Sequence, residues 1–284
     1  MAYLLPLMVA ECVRFEVVFL PEMNQSQAEE ILEMFAEGKG LESVNTSLAL
    51  HLVDLARELG RDALVGRLLD HAVKVSVNPE DKGWCQFELL KHQGASKDEL
   101  IGLGLNSEKE ELPGLAAGVF HHVALISLGS DDASVFANRS MRLREIADDI
   151  EGMIYGHALI AYIAKEEGDF EKSQMHLTKR LEIIPETEKF ERMEALADLA
   201  HSHSSLGELE QAQTLLIDSL AIAAELQELS GILVARWGLA DLAEISDQPD
   251  EAMVQLSDIM TAFMEVGEVV PELVRERISK LTDE

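Results

Sequence analysis

The chain has 284 residues, 47% of them apolar, which suits one large core or a row of stacked units and excludes a disordered polyelectrolyte. Its 53 acidic and 23 basic residues give a net charge of −30, which repels phosphate backbones and anionic lipid and so argues against nucleic-acid and membrane partners, while favouring a basic one. The two cysteines, Cys12 and Cys85, show no metal or redox spacing, so a reducing cytoplasm is the default compartment.

Residues 1–20, MAYLLPLMVAECVRFEVVFL, are apolar but lack a basic start and are broken by Glu11, Arg14 and Glu16. They fit neither a signal peptide nor a membrane span. Met23 is a second candidate start, which makes residues 1–22 an upstream extension, expected as a short helix or strand over the first repeat. Ser26 with Glu29 predicts a capping box and a helix to about Glu37, ended by Gly38-Lys39-Gly40. From Thr46, Leu48, Leu52, Leu55 and Leu59 recur at helical spacing. Gly60 turns the chain, and Leu64, Leu68, Leu69 and Ala72 continue on a second helix that Pro79 stops. Asp81 to Asn106 forms a degenerate hairpin about Gly94, its second helix weakened by Gly102 and Gly104. Pro113 then precedes an apolar helix, and Gly129 leads into a helix from about Asp132 to Asp149.

Two similar passages follow, IYGHALIAYIAKEEGDFEKSQMHLTKRLEIIPET and MEALADLAHSHSSLGELEQAQTLLIDSLAIAAEL. Each reads as an amphipathic helix, a Gly-acidic turn and a second helix. A third passage from Ile232 repeats the form with Asp247-Gln248-Pro249 at the turn, and a charged helix from Pro271 to about Leu281 caps the array. The turn markers Gly60, Gly94, Gly129, Gly168, Gly207 and Asp247 are spaced by 34, 35, 39, 39 and 40 residues. Such a period predicts an all-α solenoid of about six antiparallel hairpins. The expected organisation is an N-terminal extension and capping helix (1–45), a continuous repeat array (46–268) and a C-terminal capping helix (269–284).

The offsets from each turn resemble the tetratricopeptide repeat, W-x2-L-G-x2-Y, then A-x3-F, then P. Ile160 and Ala161 fill the L-G positions, Ala164 the Tyr position, Ser173 and Leu177 the A-x3-F positions and Pro185 the final proline. Leu199, Ala200, Ala212 and Leu216 match in the next unit, and Leu239, Ala240, Ala252 and Leu256 in the last. His157, Leu196 and Arg236 replace the first aromatic, so this is a divergent, longer-helix form. The likeness is closest over 150–268 and weakest over 80–149.

The resemblance implies a right-handed superhelix whose first helices line a groove for peptides or protein segments. The groove-facing stripe then carries Tyr155, Ala158, Tyr162 and Lys165; Glu194, Ala197, His201 and Ser204; and Val234, Trp237, Asp241 and Glu244. The weak unit adds Asp81, Trp84, Glu88 and Lys91. Both tryptophans and two of three tyrosines fall on it, as interface anchors do, although packing between repeats would also place them there. The candidate partner-binding residues are Trp84, Tyr155, Tyr162, Lys165, His201, Trp237 and Asp241. No Asn accompanies Lys91 and Lys165, so a clamp for a C-terminal carboxylate is not expected.

Nucleotide-binding and hydrolase motifs are absent, and no His pair has the HExxH spacing. No cofactor, metal or catalytic residue is expected. The reading is a non-catalytic scaffold for a protein or peptide partner. A ligand- or signal-peptide-sensing regulator, an enzyme on a helical scaffold, and a homo-oligomer stacked through its outermost hairpins stay open as alternatives.

Overall fold

The structure, a computed structural model, describes residues 25–283. The expectations for residues 1–22, and for the Ser26 side chain as an N-cap, lie outside the described residues and side chains. The described residues form fourteen α-helices and no strand. They fall into two compact units that divide between Gly152 and Met153.

In the N-terminal unit, α1 (Gln25–Ala36) precedes three hairpins: α2 (Thr46–Glu58) with α3 (Asp62–Val75), α4 (Pro79–His92) with α5 (Lys97–Lys109), and α6 (Pro113–Ile126) with α7 (Asp131–Ala147). Helix α8 (Ile150–Glu166) begins at its end and runs into the C-terminal unit. There α8 pairs with α9 (Phe170–Ile183), α10 (Lys189–Ser205) with α11 (Leu209–Leu226), and α12 (Leu229–Ile245) with α13 (Pro249–Glu265). Helix α14 (Glu272–Asp283) closes the unit. Each unit is a row of antiparallel helix hairpins.

Local chemistry sets the helix ends. Asn45 accepts from the Leu48 amide at 2.9 Å, and Asp169 from the Lys172 amide at 3.0 Å, so each satisfies an amide that the first turn cannot. Ser96 and Glu99 make a reciprocal capping box. Pro79 does more than stop α3: it opens α4 at the first helical position, where its missing amide hydrogen is not needed, with Asn78 as cap.

All six turn markers hold positive φ: Gly60, Gly94, Gly129, Gly168 and Gly207 between 65° and 84°, and Asp247 at 56°. Glycine is favoured there because a side chain crowds the left-handed conformation. Behind the turns, Ala200, Ala212, Ala240 and Ala252 are fully buried, as close helix approach requires.

The Gly94 hairpin departs from expectation in an instructive way. Helix α5 is regular over 13 residues, not an irregular segment. Gly104 is there for packing: a Cβ on it would lie 2.8 Å from the Phe120 ring of α6. Yet α4 and α5 make much less contact with each other than the α2–α3 or α6–α7 pairs. Helix α4 packs mainly on α3 and α5 on α6, and Phe87 of α4 joins Leu100, Leu115, Val119 and Val123 in a shared cluster. A cleft of about 990 Å³ opens between α4 and α5, lined by Gln86 and Leu90 on one wall, Gly102, Leu103 and Asn106 on the other, and Leu115.

Candidate functional site

The candidate stripe of the C-terminal unit runs over the first helices of its hairpins, α8, α10 and α12. Glu194, Asp198 and His201 recur at helical spacing on one face of α10. Asp198 is held from the second helix of the preceding hairpin: Arg180, fully buried on α9, brings Nη1 to 2.6 Å from Asp198 Oδ2. Burial pushes the Asp198 carboxyl above the usual carboxylate range, against the pull of Arg180 and Lys165. Glu194 makes no ion pair among the described residues. Its Oε2 is shielded from solvent and meets no hydrogen-bond donor among them, and burial pushes the carboxyl up to about 8, against the pull of the nearby Arg180 charge.

Across from α10, Lys165 and Tyr162 of α8 are both half-buried. Burial lowers the Lys165 ammonium, with Asp198 and Glu166 acting the other way, and burial raises the Tyr162 phenol. His201, though on the exposed side of α10, is lowered by desolvation and by the Lys165 charge. Tyr155 lies half-buried on α8. The structure thus brings Lys165, Asp198 and His201 into electrostatic contact, with Arg180 behind them.

On α12 the stripe is already occupied. Arg277 of α14 places its guanidinium 4.7 Å from the centre of the Trp237 ring. Its Nη2 lies 2.8 Å from Asp241 Oδ1 and 2.9 Å from Glu244 Oε1, and the Arg277 side chain is only 11% exposed. Burial raises the Asp241 carboxyl in spite of Arg277. Trp237 also packs in the cluster of Ala240, Leu256, Ile259 and Val274.

Trp84 belongs to the N-terminal unit. Its ring lies 6.0 Å from that of Phe87, and it covers Gly118 of α6 so closely that a Cβ there would sit 2.4 Å from the indole. Beside it, burial would raise the Glu88 carboxyl, but Lys91 at 2.7 Å and Arg57 at 2.8 Å outweigh it and hold Glu88 low. Both tryptophans therefore make packing contacts between helices.

The stripe offsets marked Glu194 but missed Arg180, Asp198 and Arg277. Arg180 was detectable as an arginine three residues after Leu177 on the apolar face of α9. His157 meets His176 of α9. Among the described residues no cluster of three or more His, Cys, Asp or Glu side chains is placed to hold a metal. None of the described helices is long and apolar enough to cross a membrane.

No protein-family model matches the chain, and no curated protein matches its sequence. Among solved structures it is similar to BtubC (BKLC) from P. vanneervenii, at 15% identity and a TM-score of 0.49, over 87% of this chain and 91% of that one. It is also similar to the C-terminal part of a TPR repeat-containing protein from Cytophaga hutchinsonii, at 11% identity and a TM-score of 0.38, over 90% and 95% of the two chains.

Proposed function

We propose that the chain is a non-catalytic recognition scaffold, and that the α8–α10–α12 stripe of its C-terminal unit captures a basic segment of a protein or peptide partner. The observation that carries this reading is the Glu194 carboxyl. A buried acceptor without a donor is costly to keep, because it has lost water and gained nothing in exchange. At neutral pH this group holds its proton. A lysine or arginine delivered by a partner supplies both a donor and a counter-charge, so the carboxylate forms and the proton leaves. Tyr162 beside the charges offers apolar area with a polar tip, the usual character of an interface anchor. The excess of acidic residues steers a basic segment toward the surface and makes its capture sensitive to salt.

Fluorescence anisotropy with labelled basic, neutral and acidic peptides of equal length tests the reading. Basic peptides should bind tightest, more tightly at pH 8 than at pH 6, and less tightly as salt rises. Glu194→Gln should remove the pH dependence and weaken binding about tenfold, and Tyr162→Ala should weaken it further. Equal binding of all three peptide classes, or wild-type binding by Glu194→Gln, overturns it.

A further inference from the structure

Arg277 sits in a place built for a guanidinium. The flat indole of Trp237 covers its face, and two carboxylates, Asp241 and Glu244, meet its edge. Nε donates to Glu244 Oε1 at 2.9 Å, Nη2 lies 2.8 Å from Asp241 Oδ1 as an ion pair, and the flat face stacks on the indole, a combination that a lysine ammonium cannot match. The helix that carries Arg277 is otherwise lightly attached. Helix α14 has 12 residues, and an isolated helix that short is marginal in water, so its order depends on docking. Its apolar anchors are Val274, fully buried, with Ile278 and Leu281, at positions −3, +1 and +4 from the arginine. The connector before it is held at one point, Val270 against the same cluster, while Gly267 has φ +75°, Val266 is exposed and Val269 is 82% exposed.

We propose that the Trp237–Asp241–Glu244 face of α12, with the adjoining apolar surface of α13, is a receptor for an arginine-bearing amphipathic helix, and that α14 is its resident occupant. A partner helix with an apolar residue three before an arginine and others one and four after it competes for the same seat. The charge complementarity is local and specific: the face presents two carboxylates and an indole to one guanidinium. Binding by such a partner requires α14 to leave, so α14 sets a threshold that only a matching helix passes. The proposal deepens the recognition reading above, since it assigns the α12 end of the stripe to a defined chemical class. It is tested through Asp241 and Glu244, whereas that reading is tested through Glu194 and Tyr162, so either can fail without the other.

The probe is a labelled peptide of residues 271–284, read by fluorescence anisotropy against the full chain. The wild-type chain should bind it weakly because its own α14 fills the seat. Val274→Asp, which loosens α14 and leaves the receptor face unchanged, should bind at least tenfold more tightly. Adding Asp241→Asn and Glu244→Gln to that variant should reverse the gain, and a probe carrying Arg277→Lys should bind several-fold more weakly than the native sequence. Hydrogen exchange on the wild-type chain gives a second reading that needs no variant: the α14 amides should exchange well before those of α12 and α13. A folded Val274→Asp chain that binds the probe no better than wild type, or α14 amides that exchange only with α12 and α13, overturns the proposal.

Discussion

The Nδ1 atoms of His157 and His176 lie 2.8 Å apart, joining α8 to α9 through two imidazoles whose ring centres are 5.1 Å apart. One nitrogen donates and the other accepts, so the bond requires the accepting ring to be neutral and is lost when both rings are charged. Burial is the main cause that holds each ring down to about 4, with nearby lysines adding to it. The same two positions recur 39 residues on as Leu196 and Leu215, and a further 40 on as Arg236 and Gln255, whose Nη1 and Oε1 meet at 3.0 Å. In two of the three hairpins these positions join the paired helices through a side-chain hydrogen bond.

The histidine pair should make the C-terminal unit sensitive to acid. A histidine whose folded pKa lies below its unfolded value of about 6.5 destabilises the fold only when it must charge. The pair's contribution is therefore complete above pH 6.5 and is lost as pH falls from 6.5 toward 4. For the shift of either ring, about 3 kcal/mol should disappear across that window. Urea denaturation at pH 7.5, 6, 5 and 4 measures it. The double variant His157→Leu/His176→Leu, which copies Leu196 and Leu215, should lose this part of the slope. An unchanged slope in the double variant would show that other groups carry it.

The Arg180–Asp198 pair makes a different demand. With Arg180 fully buried, removing its counter-charge leaves a cation with neither water nor a full partner. Asp198→Asn should cost about 3–5 kcal/mol at pH 7, and Arg180→Met with Asp198→Leu should recover most of it, because an apolar pair has no charge to desolvate. Differential scanning calorimetry of the three proteins decides the ordering. If the single and double variants lose the same stability, the loss comes from volume and not from charge.

What the sequence made legible follows from the range over which each feature is determined. The turns are decided within a few residues, and all six markers read from spacing hold left-handed backbone. The buried alanines follow from the offsets at which the hairpins resemble the tetratricopeptide pattern. Arg277 on Trp237 does not, because that contact depends on how α14 docks against α12, across 40 residues of chain. Stripe offsets place Trp237 on the first helix but say nothing of what covers it. The cleft between α4 and α5 was hidden for the same reason: glycines in α5 read as weakness, whereas Gly104 is a fit to Phe120, and the two helices separate because α4 packs mainly on α3 and α5 on α6.

Turn residues should respond in graded order. Gly207→Ala puts a side chain at φ +79° and should destabilise by about 1–2 kcal/mol. At Glu111, Asp148, Gln227 and Asp247, which also hold positive φ, a side chain is already present. Gln227→Gly, at φ 57°, should gain about 1 kcal/mol, whereas Asp247→Gly should gain only about 0.5 kcal/mol or less, since a short polar side chain tolerates this conformation better than glutamine does. Thermal melts rank the three. A larger gain at Asp247 than at Gln227 would mean that the Asp247 side chain is strained by something other than its backbone.

Gly102 and Gly104 sit two residues apart in α5 and should respond with opposite signs. Nothing lies within 4 Å of a Cβ built on Gly102, which faces the open side of the cleft. Gly102→Ala should therefore stabilise by about 0.5–1 kcal/mol, the ordinary gain from removing a glycine inside a helix. At Gly104 the same methyl meets the Phe120 ring, which stacks on Phe136 at 5.7 Å and cannot swing aside without disturbing it. Gly104→Ala should cost about 1–3 kcal/mol by overpacking. Urea midpoints for the two single variants separate a glycine that the packing requires from one that it does not. If both substitutions stabilise, then Phe120 yields, and the close approach of α5 to α6 has slack that the static packing does not suggest.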